Sequence, residues 1–233
     1  MTVPEKTKNP SLFGVVFFAV IVALIGALSG FTLLASTPPK SFASVAKYEA
    51  YRKENPENNL MDVHYYRSLK PASDAWAPKR EILLNASSGT VTLTNAEIKG
   101  WITNKFQKPQ VSSSDEEKAS ILIVPGVPNF FIDATEGINF NVLLEIEIFG
   151  RKIDSLLIGK GYFSEEDADE FQLSELRLNK AKIPLPEEFR DDLLEFLFKP
   201  YFKSEEFVAL KKAWEKVDSV EPVEDGIRLN LNR

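Results

Sequence analysis

Residues 12–35 form an apolar run with no charged side chain, bounded by Ser11 before it and by Ser36-Thr37-Pro38-Pro39 after it. A helix rises about 1.5 Å per residue and the hydrocarbon core of a bilayer is about 30 Å thick, so roughly 20 residues span it. The run meets that length and predicts one membrane-spanning helix. Residues 1–11 are then a short tail on one side, and nearly all the remaining chain lies on the other. The apolar region of a cleaved secretory signal is only about 7–15 residues long. The sequence therefore reads as an uncleaved anchor, although Ser41-Phe42-Ala43 has the small residues of a cleavage site.

Orientation follows from the flanks. Lys6 and Lys8 precede the span, and Lys40, Lys47, Arg52 and Lys53 follow it. Cytoplasmic flanks collect lysine and arginine, which taken alone draws the C-terminal side to the cytoplasm. A short tail and an N-terminal span ahead of a β-rich domain instead fit signal-anchor insertion. The expected location is a bacterial inner membrane, crossed once, with the C-terminal domain extracytoplasmic. Inside the span, Ala19, Ala23 and Ala27 make one small-residue ridge, and Gly26 and Gly30 another. Small residues let helix backbones approach. Gly26 and Gly30 are thus the candidate transmembrane contact, although such residues are also common in spans that pair with nothing.

Charge and composition narrow the function classes. The net charge is -6, so the basic footprint of a nucleic-acid binder is absent. There is no cysteine, which excludes disulfides, a lipid-modified cysteine, thiol catalysis and cysteine-ligated metals. His64 is the single histidine, so a site needing two imidazoles is excluded. No cofactor and no metal are expected.

Residues 36–80 read as a connector. It holds a short helix over 41–52, the breaker Asn55-Pro56-Glu57-Asn58-Asn59 and the aromatic stretch Val63-His64-Tyr65-Tyr66. A domain is expected over 81–233. Ile82-Leu83-Leu84 and Thr90-Val91-Thr92-Leu93 read as short strands. Thr94-Asn95-Ala96-Glu97 is a capping box, and Ile98, Trp101, Ile102 and Phe106 follow it at helical spacing. From Ile138 the apolar residues Phe140, Val142, Leu144, Ile146 and Ile148 alternate with polar ones, the signature of a long strand buried on one face. Leu143 and Phe149 break the alternation.

Gly150-Arg151-Lys152 turns this strand into a second, over 153–163, and a third follows over 171–180. In the third, the apolar phase slips between Leu173 and Leu176, which predicts a bulge. Gly159 and Gly161 fit a bulge or close packing. A helix over 187–199 is expected to end at Pro200, and another starts at Ser204 with Phe207, Leu210 and Trp214 at helical spacing. Glu224-Asp225-Gly226 is a hairpin turn into the final strand. The expected fold is α+β: an N-terminal transmembrane helix followed by a curved antiparallel sheet packed with about three helices.

Three passages taken together resemble a known family. They are Val91-Thr92-Leu93-Thr94-Asn95-Ala96-Glu97-Ile98, the run from Leu176-Arg177-Leu178-Asn179 to Ile183-Pro184-Leu185-Pro186, and Val223-Glu224-Asp225-Gly226-Ile227-Arg228-Leu229. Behind one N-terminal span, this order resembles the YpmS-like family of bacterial membrane-anchored proteins. More loosely, it is similar to extracytoplasmic domains in which an elongated sheet wraps a helix to hold lipid. The resemblance covers roughly residues 81–233 and carries no catalytic motif.

The candidate chemistry is thin. Asp115-Glu116-Glu117 and Glu165-Glu166-Asp167 have carboxylates that calcium uses, but not the spacing of a calcium loop; solvated turns explain them better. Glu145 and Glu147 share one strand face, where acid–base chemistry competes with plain solubility. His64 with Asp62 lies ahead of the domain, and Ser112, Ser113 and Ser114 have no nucleophile context. The positive signal is aromatic. Phe198-Lys199-Pro200-Tyr201-Phe202 places rings on several sides of a helix end. Phe198, Tyr201 and Phe202 are the candidate apolar-ligand or partner surface, set against ordinary core packing.

The sequence thus predicts a membrane-anchored, non-enzymatic domain that holds a lipid or other apolar ligand near the bilayer. The alternative is a scaffold or assembly factor with envelope protein partners. An apolar cavity between the sheet and residues 187–214 would favour the first.

Overall fold

Uninterrupted apolarity makes α1 (Leu12–Ser36) one helix of 25 residues. The protein is seen here as a computed structural model that describes residues 12–56, 63–67, 70–106, 121–164, 171–184 and 186–232. Within α1, the segment Val16–Ser36 is long and apolar enough to cross a membrane, and none of it is buried. Beyond it, β1 (Lys40–Phe42) pairs in parallel with β2 (His64–Tyr66). Between them runs α2 (Val45–Glu54), capped by the Ser44 hydroxyl, which accepts the Lys47 N–H.

Next come α3 (Trp76–Asn85), β3 (Gly89–Thr94) and α4 (Asn95–Lys105). Both halves of the expected capping box are formed: Thr94 takes the Glu97 N–H, and the Glu97 side chain takes the Thr94 N–H. The strands β4 (Ile121–Pro125), β5 (Asn129–Asp133), β6 (Gly137–Ile148), β7 (Arg151–Phe163), β8 (Phe171–Leu178) and β9 (Ala181–Lys182) follow. The chain finishes with α5 (Glu187–Phe202), α6 (Glu205–Trp214), β10 (Val217–Val223) and β11 (Gly226–Leu231).

The mixed α+β class is as expected, but the expected single curved sheet is two antiparallel sheets. One runs in the order β4-β6-β7-β8-β9, with β5 also on β6. The other is β10-β11-β3. Strand β6 serves two partners along its length: β5 opposite residues 137–141 and β4 opposite 144–148. The bulge foreseen between Leu173 and Leu176 is present. Lys160 faces Glu175 and Gly161 faces Leu173, which leaves Ser174 as the extra residue.

Helices are the larger correction. The expected connector helix is α2 and the three expected on the sheet are α4, α5 and α6; α3 is the helix not foreseen. Ile82-Leu83-Leu84 is not a strand but lies in the last turn of α3. A short apolar run does not distinguish the two by itself. What decides it is burial of Trp76 and Leu83, two turns apart on one face. Nor does Pro200 end its helix, since α5 continues to Phe202. Proline removes one backbone hydrogen bond from the last turn, and burial of Tyr201, only 6% exposed, outweighs that loss.

Residues read as a connector also contribute to the core. Tyr66 stacks on Phe131 with ring centroids 4.5 Å apart, and Trp76 stacks on Trp101 at 5.9 Å. The core has two parts. Leu83, Val91, Leu93, Trp101, Leu229 and Leu231 belong to the part under the small sheet. Phe140, Val142, Leu144, Leu157, Leu173 and Leu176 form the part under the long ribbon.

Asn95 joins the start of α4 to β5 of the long sheet. It is fully buried, its amide donates to the Ile132 carbonyl at 2.8 Å, and its carbonyl accepts the Ile132 N–H at 2.8 Å. It supplies β5 with the hydrogen bonds that a neighbouring strand would give. Asn95→Ala leaves both Ile132 groups unpaired inside the protein. The expected loss is about 3 kcal/mol, read as a lower midpoint in urea with an unchanged slope.

Candidate functional site

The two sheets meet where β5 and β6 bring Ile132 and Ile138 into one buried cluster with Ile227 and Leu229 of the small sheet. Between them and the helices lies a cavity of about 470 Å³. Each element contributes at its own period. Helix α5 supplies Leu194, Phe198, Tyr201 and Phe202, an i, i+4, i+7, i+8 stripe. Helix α6 supplies Phe207, Leu210 and Trp214, and α4 supplies Ile98, Trp101 and Ile102. The strands supply alternate residues, Phe130 with Ile132 and Ile138 with Phe140 from the ribbon, and Ile227 with Leu229 from the small sheet.

The lining is hydrophobic throughout, and two of its polar atoms are bonded elsewhere. The Tyr201 hydroxyl donates to the Gly126 carbonyl at 3.0 Å. Burial raises its pKa above that of an ordinary phenol. The Trp101 indole N–H donates to Glu206 Oε1 at 2.6 Å. The same carboxylate takes two bonds from Arg80, Nε at 2.6 Å and Nη2 at 2.8 Å. Burial pushes the Glu206 carboxyl upward, but these hydrogen bonds and the charges of Arg80 and Lys105 outweigh it and hold the group below the ordinary range. Glu206 thus ties α6 to α3 and α4, behind the cavity wall rather than within it.

Glycine shapes the floor. A Cβ on Gly159 would lie 2.1 Å from the Phe140 ring, and one on Gly161 would lie 2.5 Å from both the Phe171 ring and the Gln172 carbonyl. The two rings lie down against bare backbone, and this leaves the space above them. The expectation of close packing at both glycines is met.

The candidate residues Phe198, Tyr201 and Phe202 converge on this cavity. Most of the other lining residues were read only as core. Their helical and strand periods mark inward faces but not whether those faces touch. Gly26 and Gly30 lie on α1 with nothing within 4 Å of either position. Glu145 and Glu147 are on the sheet face opposite the Phe140 side, with Glu147 3.6 Å from Lys152. His64 stacks on Tyr48 at 3.7 Å between centroids, within an aromatic cluster that includes Phe42 and Tyr66. Asp62, Ser112–Ser114 and the acidic clusters at 115–117 and 165–167 lie outside the described residues. Among the described residues no group of three potential metal ligands occurs. Compared with known protein families, curated proteins and solved structures, the chain matches none.

Proposed function

We propose that this is a single-pass membrane-anchored, non-enzymatic domain that holds a lipid acyl chain near the bilayer. The observation that carries the reading is the apolar cavity of about 470 Å³. Ligand sites commonly measure about 300–1,000 Å³. An apolar occupant would remove this apolar lining from water, which is favourable.

The chemistry of the lining defines the occupant. A polar group placed inside would lose its water without gaining a partner. If a methylene takes about the volume of a water molecule, roughly 30 Å³, the space corresponds to about 15 methylenes. That is one acyl chain, with its polar headgroup left at the rim. The domain is placed outside the cytoplasmic membrane by signal-anchor insertion. The YpmS-like resemblance implies no catalytic group.

The test is native mass spectrometry on residues 37–233, which keep Tyr66 and Trp76 of the core, followed by lipid extraction. One lipid per chain is expected. A bare chain in a folded sample would overturn the reading and leave the scaffold alternative. That alternative draws on Phe196 and Val208, 66% and 61% exposed on adjacent helices. Phe196→Ala would then abolish a crosslinked envelope partner. Phe202→Ala does not separate the two readings, because Phe202 lines the cavity.

A further inference from the structure

The β6–β7 hairpin turns through Phe149 and Gly150, with Ile148 paired to Arg151. Both turn residues have positive φ, 48° and 76°. Two-residue hairpins of this kind favour asparagine, aspartate or glycine at the first position, because a bulky side chain is strained there. Phe149 is strained, and its ring is 82% exposed. Neither folding nor solubility accounts for a phenylalanine at this place.

The position of α1 relates this tip to the bilayer. Its last carbonyls are taken by the β8–β9 turn: the Lys180 N–H donates to Leu34 at 3.1 Å, and the Asn179 amide donates to Ala35. Asn179 is itself fixed to Leu156 of β7, donating its N–H at 2.7 Å and accepting the Leu156 N–H at 3.0 Å. Leu156 pairs with Leu143 of β6. The anchor therefore ends against the row Leu143–Leu156–Asn179.

Past this row the ribbon continues through residues 151–155 of β7, about 17 Å at roughly 3.3 Å per residue. The headgroup layer of one leaflet is only about 5–8 Å deep. The overhang bears apolar and charged groups together. Ile153, 47% exposed, pairs with Ile146; exposed Arg151 and Lys152 flank the tip, Lys152 lies 3.6 Å from Glu147, and half-buried Glu145 and exposed Asp154 stand behind them. Long basic side chains at a membrane surface lay their stems on lipid and extend their charges to the headgroups.

We infer that the β6–β7 tip, led by Phe149, is seated in the bilayer beside α1. The face of β6 that carries Ile146 near the tip continues through Leu144 and Val142 to Phe140 on the cavity floor. Val142 and Leu144 are packed in the core, 0% and 4% exposed, so this face ties the tip to the cavity without opening a channel between them. The inference rests on reading α1 as a membrane span and deepens the proposed function by stating how the sheet that floors the cavity is seated against the lipid.

The chain has no cysteine, so single cysteines can be introduced without background. Full-length Phe149→Cys and Glu224→Cys are labelled with an environment-sensitive fluorophore. Each is reconstituted in phosphatidylethanolamine–phosphatidylglycerol vesicles, with and without brominated acyl chains. Glu224 is the reference because its turn lies at the other end of β6: the Asp225 carbonyl accepts the Asn95 N–H, and Asn95 holds Ile132, which pairs with Ile138.

The expected result is blue-shifted emission at 149, quenched several-fold more by brominated lipid than at 224. A label at Arg151→Cys should also be quenched, and should lose that quenching in a Phe149→Asn background, where the turn is relaxed and the apolar ring removed. Aqueous emission at 149 overturns the inference. So does a shielded but unquenched label, which means a protein covers the tip. Flotation of the vesicles after an alkaline wash separates the causes. Protein left behind refutes the span and the inference with it. Protein that floats while the label at 149 stays aqueous refutes the inference alone.

Discussion

Gly159→Ala is expected to lower occupancy of the proposed lipid site by about tenfold or more while the chain stays folded. The new Cβ would lie 2.1 Å from Phe140 Cζ, far inside contact distance, so the ring must leave the sheet. The cavity above it is the space into which it can swing. Overpacking in a filled core costs about 1–3 kcal/mol. Here the ring has somewhere to go, and the loss falls on the ligand. Displacing two methylenes removes about 1.6 kcal/mol at roughly 0.8 kcal/mol each, which exceeds a tenfold change in affinity. Native mass spectra of the two proteins, prepared identically, measure the ratio. Equal occupancy would mean that the lipid does not lie over Phe140.

Glu206→Ala is expected to cost about 3 kcal/mol of stability, as much as Asn95→Ala. It strands Arg80, whose side chain is 17% exposed, and removes the partner of the Trp101 indole. The low end of the range for broken buried pairs applies because the Arg80 side chain is partly solvated and keeps Glu81 at 2.6 Å. For a domain of this size, each kcal/mol moves the melting temperature by about 2–4 °C, so a drop of roughly 6–12 °C is expected. An unchanged melting temperature would show that α6 is held without the pair.

The pH dependence has a definite sign. In the folded protein the Glu206 carboxyl is held below its ordinary range, against the upward push of burial. An unfolded glutamate titrates near about 4.3. The contribution is therefore complete above about pH 4.3 and is lost as pH falls through the lower, folded value. Glu97 behaves in the same way: burial raises its pKa, while the Lys79 hydrogen bond and the Thr94 backbone lower it further. Glu206→Gln should flatten the acid limb of the stability profile in part, and Glu97 contributes to the slope that remains.

Features with a local cause were legible in the chain. The Thr94–Glu97 capping box, the Ser174 bulge, the alternation along β6 and the Glu224-Asp225-Gly226 turn all formed as read. Each depends on residues within a few positions of one another. The misreadings share the opposite property. Leu83 looked like part of a strand until Trp76, two turns away, shared its buried face. Pro200 looked like a helix end until burial of Tyr201 outweighed one hydrogen bond. Asn95 gave no local sign that it would bridge to Ile132.

By itself the sequence determined one helix able to cross a membrane, the mixed α+β class and the exclusion of thiol and two-histidine chemistry. It also singled out Phe198, Tyr201 and Phe202, which line the cavity. Only the tertiary structure decided that their neighbours surround a space instead of filling it. Periodicity tells which way a side chain points along its own element. Whether opposing faces touch depends on distances between elements far apart in the chain, here set by Asn95, by the Arg80–Glu206 pair and by the bare backbone at Gly159 and Gly161.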